Sequence, residues 1–144
     1  YLNQEAATAE TITDGWLHTG DVAKIDEHGF IFIVDRVKDM VLRGGENVYC
    51  SEVEAVLHRL DEIAECSVFS VPDERLGEEV GVSIYLKPGV GMSADRVREF
   101  CLAHMAKHKS PRYIWFSPKP LPRNASGKFL KRELRDSLNV TDAV

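Results

Sequence analysis

Between Val80 and Leu86, apolar residues alternate with small or polar ones, and this pattern constrains the fold more than any other in the chain. The apolar positions are Val80, Val82, Ile84 and Leu86, with Gly81, Ser83 and Tyr85 between them. Because successive side chains of an extended chain point to opposite faces, the alternation predicts a half-buried β-strand. The Pro88-Gly89 pair then ends that strand.

Further strands are predicted by short runs rich in β-branched and aromatic residues. Three such runs are residues 40–42, 66–71 and 113–116. Two more, residues 22–25 and 30–34, are separated by a polar turn that contains Gly29, which predicts a β-hairpin.

Helices are predicted where apolar residues recur every three or four positions. One begins at residues 51–54, whose S-x-x-E pattern is typical of a capping box, and its apolar face carries Val53, Val56, Leu57 and Leu60. Ser93 is a candidate N-cap for a helix ending near His104. Residues 5–10 favour a short surface helix, and Leu130, Leu134 and Leu138 share a face of the last one.

Strands and helices mix without a strict βαβ order, so the predicted class is α+β: a small mixed β-sheet flanked by helices. The highly charged residues 35–39 follow the hairpin abruptly and mark a predicted domain boundary. Residues 1–35, with the hairpin, then belong to the end of one domain, and residues 36–144 form a second, small domain.

The length of 144 residues and the 44% hydrophobic content suit one small domain with a piece of a neighbour. No apolar run approaches the roughly 20 residues that cross a bilayer, so no membrane span is predicted. The chain starts at Tyr1 without a start methionine or a signal-peptide pattern, which indicates a piece of a longer, cytoplasmic protein. Cys50, Cys66 and Cys101 lack metal-ligand spacing, so we expect reduced, buried thiols and no metal site.

The net charge is -5, but residues 107–135 hold half of the 18 Lys and Arg residues, opposed there only by Glu133. An acidic chain with one basic end is a poor general nucleic-acid binder, although it could attract a nucleotide or the phosphates of a cofactor. We interpret Lys131, Arg132 and Arg135 as an ordinary solvated helix face.

Lys128 stands in the run Pro-Arg-Asn-Ala-Ser-Gly-Lys, between a predicted strand and a predicted helix. A lysine on such a loop can bring a mobile positive charge to a phosphate or a carboxylate. A phosphate-binding P-loop is disfavoured because Pro122 replaces its first glycine and Phe129 replaces its final hydroxyl residue.

Two further motifs lie upstream of Lys128. Asp21 follows Thr19-Gly20, and a short carboxylate of this kind can accept hydrogen bonds from the two hydroxyls of a ribose. Residues 43–47, Arg-Gly-Gly-Glu-Asn, form a predicted tight loop whose glycines allow close backbone approach.

Together these motifs and the charged residues 35–39 resemble, in order and spacing, the C-terminal part of the adenylate-forming superfamily, and acyl-CoA synthetases most of all. The resemblance covers about Gly15 to Leu134. It implies an enzyme that activates a carboxylic acid, such as a fatty acid, with ATP as an acyl-adenylate. The acyl group then passes to coenzyme A, an acid–thiol ligase activity.

The resemblance also implies roles for single residues. Lys128 would be the catalytic lysine of adenylation, while Asp21 and Arg36 would bind the nucleotide. Lys38 would be the hinge about which the small domain rotates. The coenzyme A path would be lined by Gly44 and Gly45 at the pantetheine tunnel, with Lys109 and Arg112 as further candidates.

Other parts of the resemblance lie outside the chain. The large N-terminal domain, with the phosphate loop, the Mg²⁺ ligand and the acyl pocket, would precede residue 1, so the 144 residues alone are expected to be inactive. Lys128 also resembles the family's site of regulatory acetylation, which would make a lysine acetyltransferase and a deacetylase partners.

Three alternatives stay open. The parent could load a carrier protein instead of coenzyme A. It could be a luciferase-like oxidase, although some luciferases place a lysine where this chain has Leu42. It could also be a non-catalytic binding module, which would show no ATP-dependent chemistry.

Overall fold

The computed structural model describes all residues from 1 to 144, which separate into two compact units, Tyr1–Lys38 and Asp39–Val144. The sequence placed the boundary between residues 35 and 36, and the division falls three residues later, between Lys38 and Asp39. Whether the first unit is the end of a larger domain is a separate prediction.

The first unit consists of one helix and two hairpins. Helix α1 (Glu5–Thr11) leads into β1 (Ile12–Thr13), which pairs with β2 (Trp16–Leu17). The hairpin predicted downstream is present as β3 (Asp21–Ile25) and β4 (Ile31–Arg36), antiparallel. Trp16 and Leu17 form a strand because Asp14 and Gly15 both adopt positive φ and turn the chain.

A five-stranded mixed sheet forms the centre of the second unit. Its strands are β5 (Val41–Arg43), β6 (Glu46–Val48), β7 (Ile63–Asp73), β8 (Gly77–Leu86) and β9 (Tyr113–Ser117). Strand β8 pairs with β5 and β7 in antiparallel fashion and with β9 in parallel fashion. Pro72 is accommodated in β7 because that strand lies at the sheet's edge.

Helices cover both faces of this sheet, and the predicted α+β class, a small mixed sheet flanked by helices, is confirmed. Helices α2 (Cys50–Leu57) and α3 (Ala94–His104) pack on one face, where Val53, Leu57 and Val97 are fully buried. Helix α4 (Lys131–Ser137) packs on the other face through Leu134.

The strand at residues 80–86 was predicted to be half-buried, but the packing on the second face buries both of its sides from residue 80 to residue 84. Gly81 and Ser83, expected to face solvent, are buried because the aromatic layer of Phe69 and Trp115 lies over them. The Phe69 and Trp115 rings stack with centroids 5.7 Å apart. A Cβ on Gly81 would lie 2.6 Å from Val71 Cγ2, so only glycine lets the layer approach the sheet.

The predicted capping box at residues 51–54 is wrong. Helix α2 begins at Cys50, so Ser51 is already within the helix, and the N-cap Tyr49 provides no side-chain hydrogen bond. Glu54 turns instead to the sheet, where Oε1 accepts from the Val68 amide at 2.8 Å. The N-cap predicted at Ser93 is confirmed, because its hydroxyl accepts from the Arg96 amide at 3.3 Å.

Lys131 also departs from the solvated helix face that the sequence indicated. Its ammonium lies 3.0 Å from Glu54 Oε1 and its side chain is 23% exposed, so it fastens α4 to α2. Burial alone would lower the pKa of Lys131, but attraction from Cys50 and Glu54 outweighs it, and the pKa lies above the ordinary value. Arg132 is solvated as predicted and meets only Asp136, at 3.7 Å.

The three cysteines are buried and form no disulfide. Burial raises the pKa of Cys66 to about 12 and that of Cys101 to about 11, so both stay protonated near neutral pH. None of the helices is long and apolar enough to span a bilayer.

Candidate functional site

Lys128 lies on a tight turn between Arg123 and Phe129, which form an antiparallel bridge. The Asn124 amide donates to the Lys128 carbonyl at 2.9 Å, which closes the turn. Asn124 Oδ1 accepts from the amides of Ser126 and Lys128 at 3.0 and 2.9 Å. Gly127 takes φ +80°, a conformation that favours glycine.

The side chain of Lys128 is exposed, and its ammonium makes no hydrogen bond or ion pair within the chain. Two other cationic side chains near the turn already have carboxylate partners: Lys131 pairs with Glu54, and Arg123 pairs with Glu65 at 3.1 Å. The turn therefore holds one unpaired positive charge that can reach away from its own unit.

Gly44 and Gly45 form a two-residue hairpin turn between β5 and β6, narrower than the five-residue loop that the sequence predicted. Both have positive φ, +58° and +89°, as the type I′ turn of a tight hairpin requires. The Gly44 amide donates to the Leu76 carbonyl at 2.9 Å. A Cβ on Gly44 would meet Leu76 Cδ2 at 3.1 Å, whereas one on Gly45 would have nothing within 4 Å.

Glu79 anchors this turn, although no sequence motif points to it. Its carboxylate, in a side chain only 2% exposed, accepts two hydrogen bonds from Arg43, from Nε at 2.7 Å and from an Nη at 2.8 Å. The hydrogen bond to Glu79 raises the pKa of Arg43 above its ordinary value. An acidic residue at the start of a predicted strand gives no sequence signal for a partner far away in the chain.

Asp21 and Arg36, the predicted nucleotide ligands, lie opposite each other on β3 and β4. Arg36 Nε donates to Asp21 Oδ1 at 3.2 Å, and the side chains are 64% and 29% exposed. Both can therefore still reach a ligand from solvent.

The predicted hinge residue, Lys38, ends the first unit and is exposed. It lines an open groove of that unit with His18, Thr19, Gly20 and Arg36. The groove thus joins two of the predicted site residues with the Thr-Gly that precedes Asp21.

Lys109 and Arg112, the further coenzyme A candidates, already have partners in their own unit. Lys109 Nζ lies 2.7 Å from both carboxylate oxygens of Glu52. Arg112 lies 3.3 Å from Asp73 Oδ2, and its guanidinium stands 5.4 Å from the Tyr113 ring centroid. Hydrogen bonds from the Leu76 and Arg75 amides, with Arg112 nearby, lower the pKa of Asp73.

No group of three or more His, Cys, Asp or Glu residues in the chain is arranged to hold a metal ion. The Mg²⁺ ligand was expected outside these residues, and that expectation stays a prediction.

Comparison with known proteins identifies this architecture. Residues 52–128 match the AMP-binding enzyme C-terminal domain, and the match ends at Lys128. The chain belongs to this family. The exposed Lys128 is the last residue of the match, and the Gly44–Gly45 turn lies just before its first residue.

Similar proteins support the same family. The chain is 50% identical over 137 residues to a 3-[(3aS,4S,7aS)-7a-methyl-1,5-dioxo-octahydro-1H-inden-4-yl]propanoyl:CoA ligase of Rhodococcus jostii (strain RHA1), covering 94% of this chain and 26% of that protein. It is 46% identical over 129 residues to the fatty acid–[acyl-carrier-protein] ligase ScoC of Streptomyces coeruleorubidus, covering 90% and 25%.

Among solved structures, o-succinylbenzoate CoA synthetase from Bacillus subtilis, in complex with its acyl-adenylate intermediate, matches with a TM-score of 0.86 and 36% identity. The match covers 96% of this chain and 28% of that one. The chain thus spans about a quarter of the length of the relatives it matches.

Proposed function

We propose that this chain is the C-terminal part of an AMP-forming acid–thiol ligase. The enzyme would join a carboxylic acid to AMP, releasing pyrophosphate from ATP, and would then pass the acyl group to the thiol of coenzyme A. Support comes from the family match and from relatives that are named CoA ligases. Mg²⁺ would accompany ATP on ligands outside these residues, in a cytoplasmic enzyme.

The observation that carries the proposal is the unpaired ammonium of Lys128 on a turn closed by hydrogen bonds. Negative charge builds up around phosphorus when a carboxylate attacks ATP, and a fixed cation stabilises that transition state. Lys128 would contact both the acyl carboxylate and the nucleotide, whose ribose and phosphates would lie near Asp21 and Arg36.

The Gly44–Gly45 turn would serve the second half-reaction. Gly45 is the better candidate for contact with the pantetheine arm, because a side chain there would enter open space rather than its own unit. The second unit would rotate about Lys38, where the division between the units falls, so that Lys128 acts in the first half-reaction and Gly45 in the second.

The first unit would be the end of the large N-terminal domain. Strand β4 supports this assignment, because Ile31, Phe32 and Ile33 are 65%, 53% and 66% exposed. Since successive side chains point to opposite faces of the hairpin, both faces expose apolar residues. Apolar residues exposed on both faces of a strand are expected where further structure covers them.

The acyl acceptor and the acid belong to the same proposal. Coenzyme A is favoured because the Rhodococcus relative, at 50% identity, is a CoA ligase. A carrier protein is the second candidate, favoured by the ligase ScoC at 46% identity. A fatty acid stays one candidate for the acid, and the bicyclic acid of the Rhodococcus ligase is another.

Lys128→Ala in the full-length enzyme tests the proposal. Adenylation, measured by pyrophosphate release, should fall about 10²–10³-fold because one charge-stabilising group is removed. Thioester formation from supplied acyl-adenylate should be unchanged. Lys119→Ala, which removes another exposed lysine, should leave both steps unchanged. An equal loss in both half-reactions of Lys128→Ala would contradict the division of labour between the two turns.

Two smaller proposals follow from the same role. The 144 residues alone should release no pyrophosphate, because the phosphate loop and acyl site lie elsewhere in the enzyme. Acetylation of Lys128 by an acetyltransferase would remove its charge and stop adenylation, and a deacetylase would restore it.

A further inference from the structure

Arg123 contacts the residues on both sides of Lys128. One Nη donates to the Gly127 carbonyl at 2.7 Å. The guanidinium carbon lies 3.8 Å from the centroid of the Phe129 ring, within cation–π distance. Together with the backbone bridge between Arg123 and Phe129, these contacts hold the chain immediately before and after the lysine.

Glu65 connects Arg123 to the sheet. Its Oε1 lies 3.1 Å from the other Nη of Arg123, and its Oε2 accepts from the Leu121 amide at 2.7 Å. Glu65 lies on β7, and its side chain is 20% exposed. The turn is therefore fastened to a strand of the central sheet at two points, Leu121 and Arg123.

This fastening matters because Lys128 has no partner of its own to fix it. Where its ammonium can reach depends on where the turn places the lysine backbone. A misplacement of about 1 Å at a reacting group can cost on the order of 10²-fold in rate. Only arginine can use two forked donors and a planar face at once, since lysine is a single point charge.

We propose that Arg123, anchored by Glu65, is a positioning residue that fixes the Lys128 turn for adenylation. The proposal rests on the role given above to Lys128. Arg123 acts through the lysine and does not itself touch the substrates.

The kinetic test uses the full-length enzyme. Arg123→Ala should lower the kcat of adenylation about 10–100-fold and leave thioester formation from supplied acyl-adenylate unchanged. Arg123→Lys and Glu65→Gln, which keep a charge or a hydrogen-bond acceptor, should each cause a smaller loss. Arg132→Ala removes an 89% exposed arginine and is the matched control, with no change expected.

A double variant separates positioning from direct contact. If Arg123 acts only through Lys128, adding Arg123→Ala to Lys128→Ala should cause no further loss. Losses that multiply would overturn the proposal, because they would mean that Arg123 touches the substrates itself.

A second measurement on the 144-residue chain does not depend on catalysis. The Lys128 amide, bonded to Asn124 Oδ1 at 2.9 Å, should exchange its hydrogen at least about 10-fold faster in Arg123→Ala, at unchanged exchange in the central sheet. Unchanged exchange at Lys128 would overturn the proposal. If the Arg123→Ala variant does not fold, amide exchange at Lys128 in Arg123→Lys and in Glu65→Gln tests the proposal instead.

Failure of the proposed function would give a different set of results from failure of the positioning role. Lys128→Ala would then leave adenylation intact, while the exchange measurement would still report whether Arg123 orders the turn. If Lys128→Ala slows adenylation and Arg123→Ala, Arg123→Lys and Glu65→Gln do not, the positioning role alone is wrong.

Discussion

The carboxylate of Glu79 and the guanidinium of Arg43 meet through two hydrogen bonds of 2.7 and 2.8 Å beneath the Gly44–Gly45 turn. Arg112 approaches the same carboxylate at 3.6 Å, so two arginines offset one buried charge. The turn is also tied down at Leu42, whose amide donates to Glu78 Oε2 at 2.7 Å. The glycine turn is therefore as firmly attached to the sheet as the lysine turn is through Glu65.

Removing the Glu79 carboxylate should destabilise the chain strongly. Breaking a buried ion pair by deleting one partner typically costs about 3–5 kcal/mol, because the other charge is left without compensation. Arg43 is 26% exposed, so we expect Glu79→Ala to lie at the lower end of this range, about 3 kcal/mol. Urea unfolding of the variant and the unsubstituted chain measures this loss of unfolding free energy.

The control for that substitution is Glu74→Ala, which removes an exposed carboxylate from the turn between β7 and β8. Its effect should stay within about 0.5 kcal/mol. Similar losses for Glu74→Ala and Glu79→Ala would show that the pairing with Arg43 contributes little.

Whether the sequence predicts a structural feature of this molecule depends on how far apart in the chain the interacting residues lie. Local patterns located the β3–β4 hairpin, strands β5, β7, β8 and β9, and the helices, because these patterns span only a few residues. The short strands β1, β2 and β6 were not predicted. The S-x-x-E pattern at residues 51–54 was misleading because Glu54 bonds to Val68 and Lys131, which are distant in the chain. Local capping rules cannot anticipate such a competitor.

The candidate site divides in the same way. Lys128, Gly45 and Asp21 stand in recognisable motifs, so the sequence found them. Glu79 and Glu65, which fasten the two turns, lie in strands and meet their arginines across 36 and 58 residues of chain. No short pattern records a contact of that separation, and only the folded sheet brings the pairs together.

Gly45→Ala should slow thioester formation in the full-length enzyme while leaving adenylation intact. A Cβ at Gly45 meets nothing within 4 Å in the chain, so any specific effect must come from what enters the space beside it. The φ of +89° adds a backbone cost of about 1–2 kcal/mol for a residue with a side chain.

Gly89→Ala is the matched control for Gly45→Ala. Gly89 also has positive φ, +79°, and open space around it, but it lies in the turn after β8. Both variants should lose similar stability in urea unfolding, and only Gly45→Ala should slow the transfer to coenzyme A. Equal transfer rates in the two variants would remove Gly45 from the acceptor path.

Gly81→Ala should destabilise the second unit by overpacking. The added methyl would lie 2.6 Å from Val71 Cγ2 and 3.1 Å from the Trp115 ring, so the aromatic layer must move. Such insertions into a packed core typically cost about 1–3 kcal/mol. At Gly91 a methyl meets nothing within 4 Å, and Gly91→Ala should be neutral or slightly stabilising. Thermal unfolding of both variants measures the difference, and equal midpoints would contradict the close packing at Gly81.

Asp73 should make stability depend on acid pH. Hydrogen bonds from the Leu76 and Arg75 amides, and the nearby Arg112, hold the pKa of Asp73 below its ordinary value. A carboxyl group with a lowered folded-state pKa contributes stability that is present above its unfolded pKa of about 3.9. That contribution is lost as the pH falls from there through the folded-state pKa.

The Asp73→Asn variant isolates this contribution. Asparagine keeps an oxygen for the Leu76 and Arg75 amides, which Asp73 Oδ1 accepts at 2.9 and 3.0 Å, but it cannot ionise. The difference in unfolding free energy between the two proteins should therefore be largest above about pH 5 and should shrink towards about pH 3. A constant difference over that range would mean that the hydrogen bonds to Asp73 do not favour its charged form.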